Sequence, residues 1–299
     1  MTAATINPFT QQNASCYRKM TQPTFIGIGG QKCASTWIYD ILADHPDVAM
    51  SQQKEIDFFS YHYDHGLQWY EDNFIATGNS VAFGEISPSY FHEPGVPERL
   101  RRHYPEVKLI VSLRNPLQRA ISNHVHEIRI GHLTGDDLTL ERGLKNNPMY
   151  VEKGLYAKHL QRWLEYFPRE QILILLFEDI VGDRVESARR IYRFLGIDED
   201  HRSAALDNRS NPSYVNRYKG LEAFRKRIHT AVRRLGFNFA WDVAAKLGMR
   251  RLYNRINKIS GNNNILEPEE TTVRKLTNEF SNDISRLEAM LSRDLTTWR

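Results

Sequence analysis

Residues 25–42, FIGIGGQKCASTWIYDIL, decide the fold. FIGIGG (25–30) has the composition of a buried strand. STWIYDILADH (35–45) places apolar residues at 37, 38, 41 and 42, one face of a helix. A glycine-closed strand feeding a helix leaves backbone N–H groups free at the turn, where an anion fits. Lys32 adds a charge there, and Ser35 and Thr36 add hydroxyls. The pattern departs from the nucleotide loop G-x-x-x-x-G-K-[ST]. Gln31 stands in place of the last glycine, and Cys33 in place of the hydroxyl. Three readings are open at this point: a degenerate nucleotide loop, a structural turn with a solvated lysine, and a loop made for another anion.

Working outward, VAM (48–50), VAFGE (81–85), KLIVSLR (108–114) and QILILLFED (171–179) read as further strands. LYAKHLQRWLEYF (155–167) is an amphipathic helix closed by Pro168. SARRIYRFLGI (187–197) is a helix ended by Gly196, and a last helix runs from Pro268 through Leu287. Strands alternating with helices predict an α/β fold: a central parallel sheet with helices on both faces. Ligands in such sheets sit at the carboxyl ends of the strands.

The chain has 299 residues, 41% of them apolar, enough for one large domain or two small ones with a sizeable core. Residues 1–23 read as a flexible arm, and 24–299 as a single domain. Two cysteines, Cys16 and Cys33, do not make a disulfide framework, and no run of about 18 apolar residues suggests a membrane span. A cytoplasmic setting is expected. Between residues 217 and 258, twelve Lys/Arg face only Glu222 and Asp242, which leaves the rest of the chain at −6 against an overall +4. Apolar residues at 221, 224, 228, 232 and 235 recur at helical spacing within it. This basic helical insertion, about 217–262, reads either as a solvated helix pair or as a peripheral contact for an anionic membrane or acceptor. The modest overall charge does not favour a nucleic-acid partner.

Two more motifs carry chemistry. In VSLRNPLQRAISNH (111–124), Arg114 ends a buried strand, Pro116 starts a helix, and Ser122 lies two turns into it. An arginine fork suits a phosphate dianion, and equally caps a sheet edge. In QKEIDFFS (53–60), Glu55 follows a strand and precedes an aromatic pair. It reads as a general base or as a surface carboxylate.

Taken together and in order, K-C-A-S-T-W, K-E-x-x-F-F and R-N-P-x-x-R-A-x-S resemble the sulfotransferases that use 3′-phosphoadenosine 5′-phosphosulfate (PAPS). HPDV (45–48), GLQWY (66–70), PSYF (88–91), VPERL (96–100) and LQRWLEYFP (160–168) are similar to the heparan sulfate glucosaminyl 3-sulfotransferase branch. The resemblance covers about residues 24–197 and implies a P-loop-like three-layer fold. It implies transfer of a sulfuryl group to a hydroxyl or amine of a carbohydrate, glycolipid or small-molecule acceptor, leaving adenosine 3′,5′-bisphosphate. Lys32, Cys33, Ala34, Ser35, Thr36 and Trp37 would hold the 5′-phosphosulfate. Arg114 and Ser122 would hold the 3′-phosphate. Arg209, Ser210 and Asn211 would be a late donor contact, with Lys219 and Gly220 as a rival pair. Glu55 would be the base and Lys32 the charge opposite the leaving group, with His124 and His126 next in line as bases. No metal is expected.

The sequence departs from that branch in two places. Ile86 stands where those enzymes carry a lysine after the glutamate of a Glu-Lys-Thr-Pro element. Asp57 stands where they carry a histidine two residues after the base. Both changes point away from a sulfated glycosaminoglycan acceptor. The rival functions are a P-loop kinase or ATPase, with FED at 177–179 as its only candidate metal carboxylates, and a non-enzymatic binder of anionic surfaces through the basic segment.

Overall fold

The computed structural model describes residues 22–76, 78, 80–133, 138–207 and 268–299, with the backbone of two short strands at 214–216 and 258–260. Five strands, β1 (Phe25–Gly29), β2 (Val48–Met50), β3 (Ala82–Ile86), β4 (Lys108–Leu113) and β5 (Ile172–Leu176), form one sheet in the order β2-β3-β1-β4-β5. Every neighbouring pair is parallel. All five carboxyl ends therefore lie along one edge, with β1 in the middle.

The helices in chain order are α1 (Ser35–Ala43), α2 (Phe58–Tyr61), α3 (Leu67–Glu71), α4 (Val96–His103), α5 (Pro116–Ile130), α6 (Leu140–Asn146), α7 (Met149–Glu152), α8 (Tyr156–Leu164), α9 (Phe177–Gly182), α10 (Arg184–Leu195) and α11 (Glu270–Leu291). Alternation along the strands divides the core in two. Phe25, Ile110 and Leu175 face Ile38 and Ile41 of α1 and Ile191 and Tyr192 of α10. Ile26, Ile28, Leu109 and Val111 face Leu100 of α4, Trp163 of α8 and Phe280 of α11. The result is the three-layer arrangement expected from the sequence. No helix among the described residues is long and apolar enough to cross a membrane.

Several boundaries differ from the expected ones: α8 stops at Leu164 rather than Phe167, α11 runs from Glu270 to Leu291, and two more lie at and after β5. The run 171–179 was expected to be all strand, yet β5 stops at Leu176, where its pairing with Leu113 ends, and Phe177 opens α9. Glu178 and Asp179 sit in the first turn of that helix, where the positive end of the dipole favours acids. Helix α10 begins at Arg184, before the expected Ser187. The Asp183 side chain accepts a hydrogen bond from the Glu186 N–H at 2.9 Å, an N-cap three residues ahead of a glutamate.

The expected late contacts Arg209, Ser210 and Asn211, and their rivals Lys219 and Gly220, lie outside the described residues. So does residue range 217–257 of the basic segment. Its flanks pair: β6 (Tyr214–Asn216) runs antiparallel to β7 (Lys258–Ser260), and β6 lies beside α5.

Candidate active site

A cavity of about 1150 Å³ opens at the carboxyl edge of the sheet. Each strand delivers residues to it through the loop or helix that follows: Lys32 after β1, Glu55 and Asp57 after β2, Ser89 and His92 after β3, Arg114 after β4, Phe177 and Asp183 after β5. This is where a parallel sheet offers both helix N-termini and irregular backbone to a ligand.

The loop after β1 is held from behind. The Gly30 N–H donates to the Ser112 carbonyl at 2.6 Å, and the Lys153 ammonium donates to Gln31 Oε1 at 3.1 Å. Gly29 has a φ of +135°, and a Cβ there would lie 2.8 Å from the Pro88 carbonyl oxygen. Lys32 and Ala34 take left-handed backbone, with φ of 66° and 76°. Such conformations in non-glycine residues cost about 1–3 kcal/mol each and persist where their surroundings enforce them. Ala34 is the N-cap of α1 and offers no side-chain cap, and the first turn holds no acid. The helix start is thus open to an external anion. Lys32, Ser35, Thr36 and Trp37 line the cavity, and the Trp37 Nε1 is buried with no hydrogen-bond partner. Cys33 faces the other way. Its thiol is buried 3.7 Å from the Tyr156 hydroxyl, and burial pushes it up to about 11. Only the Cys33 backbone is left to serve a ligand.

Lys32 is held below the ordinary lysine range by burial first and then by Arg129, with Glu55 and Glu127 opposing. Across the cavity, Lys54 donates to Thr36 Oγ1 at 3.1 Å and sits over the Tyr39 ring, tying the Glu55 segment to α1. Glu55 itself opens onto the cavity with a φ of 57°. The protein packed around it raises its carboxyl above the usual range, against the pull of Lys54 and Lys32.

The segment carrying Glu55 rests on a buried carboxylate, the glutamate that precedes Ile86. Glu85, at 0% exposure, accepts hydrogen bonds from Ser87 Oγ at 2.6 Å, Tyr90 Oη at 2.7 Å and Tyr70 Oη at 3.2 Å. Ser87 Oγ in turn accepts from the Asp57 N–H at 2.9 Å. Burial pushes Glu85 up to about 7, the three hydroxyls opposing. GEISPSY carried the signal: an acid ending a strand, followed by hydroxyls at three of the next five positions.

On the far wall, Arg114 lies over the Phe177 ring, its Cζ 4.5 Å from the centroid. Pro116 starts α5, as expected, and the Asn115 side chain caps it by accepting from the Gln118 N–H at 3.1 Å. Ser122, His126 and Arg129 follow along the cavity face of α5. His126 Nδ1 is 2.8 Å from the Arg129 guanidinium. His124 is buried instead, its Nε2 3.0 Å from the Leu138 carbonyl and its Nδ1 3.3 Å from the Tyr150 hydroxyl. Of the two reserve bases, only His126 faces the cavity. The acids proposed for a kinase metal are otherwise engaged, for Asp179 takes both Arg293 nitrogens at 2.5 Å.

The family model of the sulfotransferase domain matches residues 22–240. The chain belongs to that family. It is 32% identical over 210 residues to human heparan sulfate glucosamine 3-O-sulfotransferase 3B1, a match covering 68% of this chain and 52% of that protein. It is 34% identical over 187 residues to mouse heparan sulfate glucosamine 3-O-sulfotransferase 6, covering 60% and 53%. The chain thus spans about half the length of the curated relatives it matches. A sulfotransferase from Alicyclobacillus acidocaldarius has a solved structure with a TM-score of 0.66 and 25% identity, covering 93% of this chain and 99% of that one. The five-stranded parallel sheet described above agrees with that kinship.

Proposed function

We propose that this sulfotransferase-family chain moves a sulfuryl group from PAPS to a hydroxyl of a carbohydrate or carbohydrate-like acceptor, with Glu55 as the base. One observation carries the reading. The open N-terminus of α1 with Lys32, the carboxylate of Glu55, and the pair Arg114–Ser122 face one cavity from separate strand ends.

The residues fit such a donor. A phosphosulfate finds an uncapped helix start, a lysine and two hydroxyls. A second anionic group finds the Arg114 fork and the Ser122 hydroxyl, and the orphaned Trp37 N–H offers a further donor. Bound PAPS supplies the sulfuryl group: its S–O bond to the nucleotide phosphate breaks as the acceptor oxygen bonds to sulfur. Glu55 takes the acceptor's proton, and its raised pKa makes it a better base than an ordinary carboxylate. Lys32 and the loop N–H groups would offset the negative charge that grows on the leaving phosphate oxygen.

The test is transfer of label from PAPS to saccharides, read by mass shift, in wild type and Glu55→Gln. Wild type is expected to add sulfate, and the variant to be slower by about 10²–10⁴-fold while still binding adenosine 3′,5′-bisphosphate. A Glu55→Gln rate within a few-fold of wild type removes Glu55 as the base and brings forward His126.

A further inference from the structure

The cavity is electrically lopsided. Its loop end carries Lys32, Lys54 and Arg129. Beyond Glu55 the cavity wall itself presents the carboxylate of Asp57, with the cations Lys153 and Arg119 acting on His92 from outside the lining. Asp57 lines the cavity with its Oδ1 accepting from Ser89 Oγ at 2.5 Å. Tyr61, 55% exposed, lines it too. Burial first, then the Glu93 and Asp57 carboxylates, raise the Tyr61 hydroxyl above its ordinary range.

A second observation at this end points to a ligand. His92 is only 7% exposed and lines the cavity; its Nε2 makes no hydrogen bond, with the Glu93 carboxylate its nearest acid at 3.5 Å. The ring cannot serve as a cation, because burial, followed by Lys153, His159 and Arg119, pushes it down to about 3. A neutral imidazole nitrogen either donates or accepts one hydrogen bond, which suits a hydroxyl.

We propose that the acceptor end of this cavity is made for an uncharged polyhydroxyl compound, with Asp57 and His92 binding its hydroxyls, Tyr61 packing against its C–H face, and Asp57 excluding sulfated or carboxylated acceptors. This rests on the sulfuryl-transfer reading above. The carboxylate beside the base accepts hydrogen bonds from hydroxyls neighbouring the one that reacts. An anionic group placed there meets a like charge in a confined cavity, a juxtaposition that discriminates strongly between partners. The aromatic ring provides apolar area at little entropic cost, with its hydroxyl left to water.

The experiment offers labelled PAPS together with maltotriose, cellotriose or N-acetylchitotriose, and in parallel with a heparin tetrasaccharide. Wild type is expected to sulfate at least one uncharged trisaccharide about 100-fold more efficiently than the heparin fragment. Asp57→Asn keeps the shape and the bond from Ser89 but removes the charge. It should cut that preference about tenfold, mainly through a lower KM for the heparin fragment. Tyr61→Ala should raise KM for the trisaccharide and change kcat little. Thermal stabilisation by adenosine 3′,5′-bisphosphate reports separately on the donor site, and should persist in both variants. Equal or better use of the heparin fragment by wild type overturns the proposal. So does an unchanged preference in Asp57→Asn, or a protein that binds the bisphosphate yet modifies none of the trisaccharides. Failure to bind the bisphosphate overturns the reading beneath it, and this proposal with it.

Discussion

The Lys32 ammonium and the Glu55 carboxylate are shifted toward each other's range. Burial and Arg129 lower Lys32, while burial raises Glu55. A reaction that needs Glu55 deprotonated and Lys32 protonated is therefore squeezed from both sides. The kcat/KM profile with pH should rise above the usual carboxylate range and fall below the usual lysine range. The Glu55→Gln variant should lose the acid limb, and a limb that persists in that variant belongs to another group. Lys32→Ala should lower kcat by about 10²–10³-fold while weakening the bisphosphate product far less, because the loop N–H groups remain. A kcat that survives the change removes Lys32 from the chemistry. The sequence disclosed these two residues because each follows an apolar strand directly. It did not disclose Glu85, His92 or Arg129, whose places depend on which side of a strand or helix turns toward the cavity.

Between strand and loop, the backbone at Glu55 and Asp57 is left-handed, with φ of 57° and 52°. That unfavourable shape is held by Ser87, which bridges the Asp57 N–H to the buried Glu85. Glu85 has a measurable signature. Burial pushes its pKa up from the ordinary 4.5 to about 7, so the buried group favours its protonated form. Its contribution to stability is full below pH 4.5 and is lost as the pH rises through about 7, by up to ~3 kcal/mol. Glu85→Gln removes that dependence. Melting curves from pH 5 to pH 8 should show the variant gaining on wild type as pH rises, and a constant gap between the two would contradict the assignment. The strands themselves were legible from β-branched and apolar runs. The end of β5 was not, because Phe177 continues the apolar run into α9, and only pairing with β4 says where the strand stops.

Across the whole molecule, the parallel order β2-β3-β1-β4-β5 gathers motifs more than a hundred residues apart onto one edge. The fold was readable, and so was the approach of Lys32, Glu55 and Arg114 to one edge of the sheet, because these residues follow strand ends in a fixed order along the chain. The places of Tyr61, Ser89 and His92 were not, because they come from segments whose sequence names no ligand, and only the fold brings them to the same cavity as Asp57. The donor loop remains the central claim. Titration calorimetry of the full chain with adenosine 3′,5′-bisphosphate and with ADP, without and with Mg²⁺, tests it most directly. An uncapped helix start with Lys32, set opposite Arg114 and Ser122, predicts metal-independent binding of the bisphosphate, about 100-fold tighter than ADP through the charge-assisted bonds to the 3′-phosphate. Binding of ADP that equals or exceeds that of the bisphosphate, and that needs Mg²⁺, would contradict it.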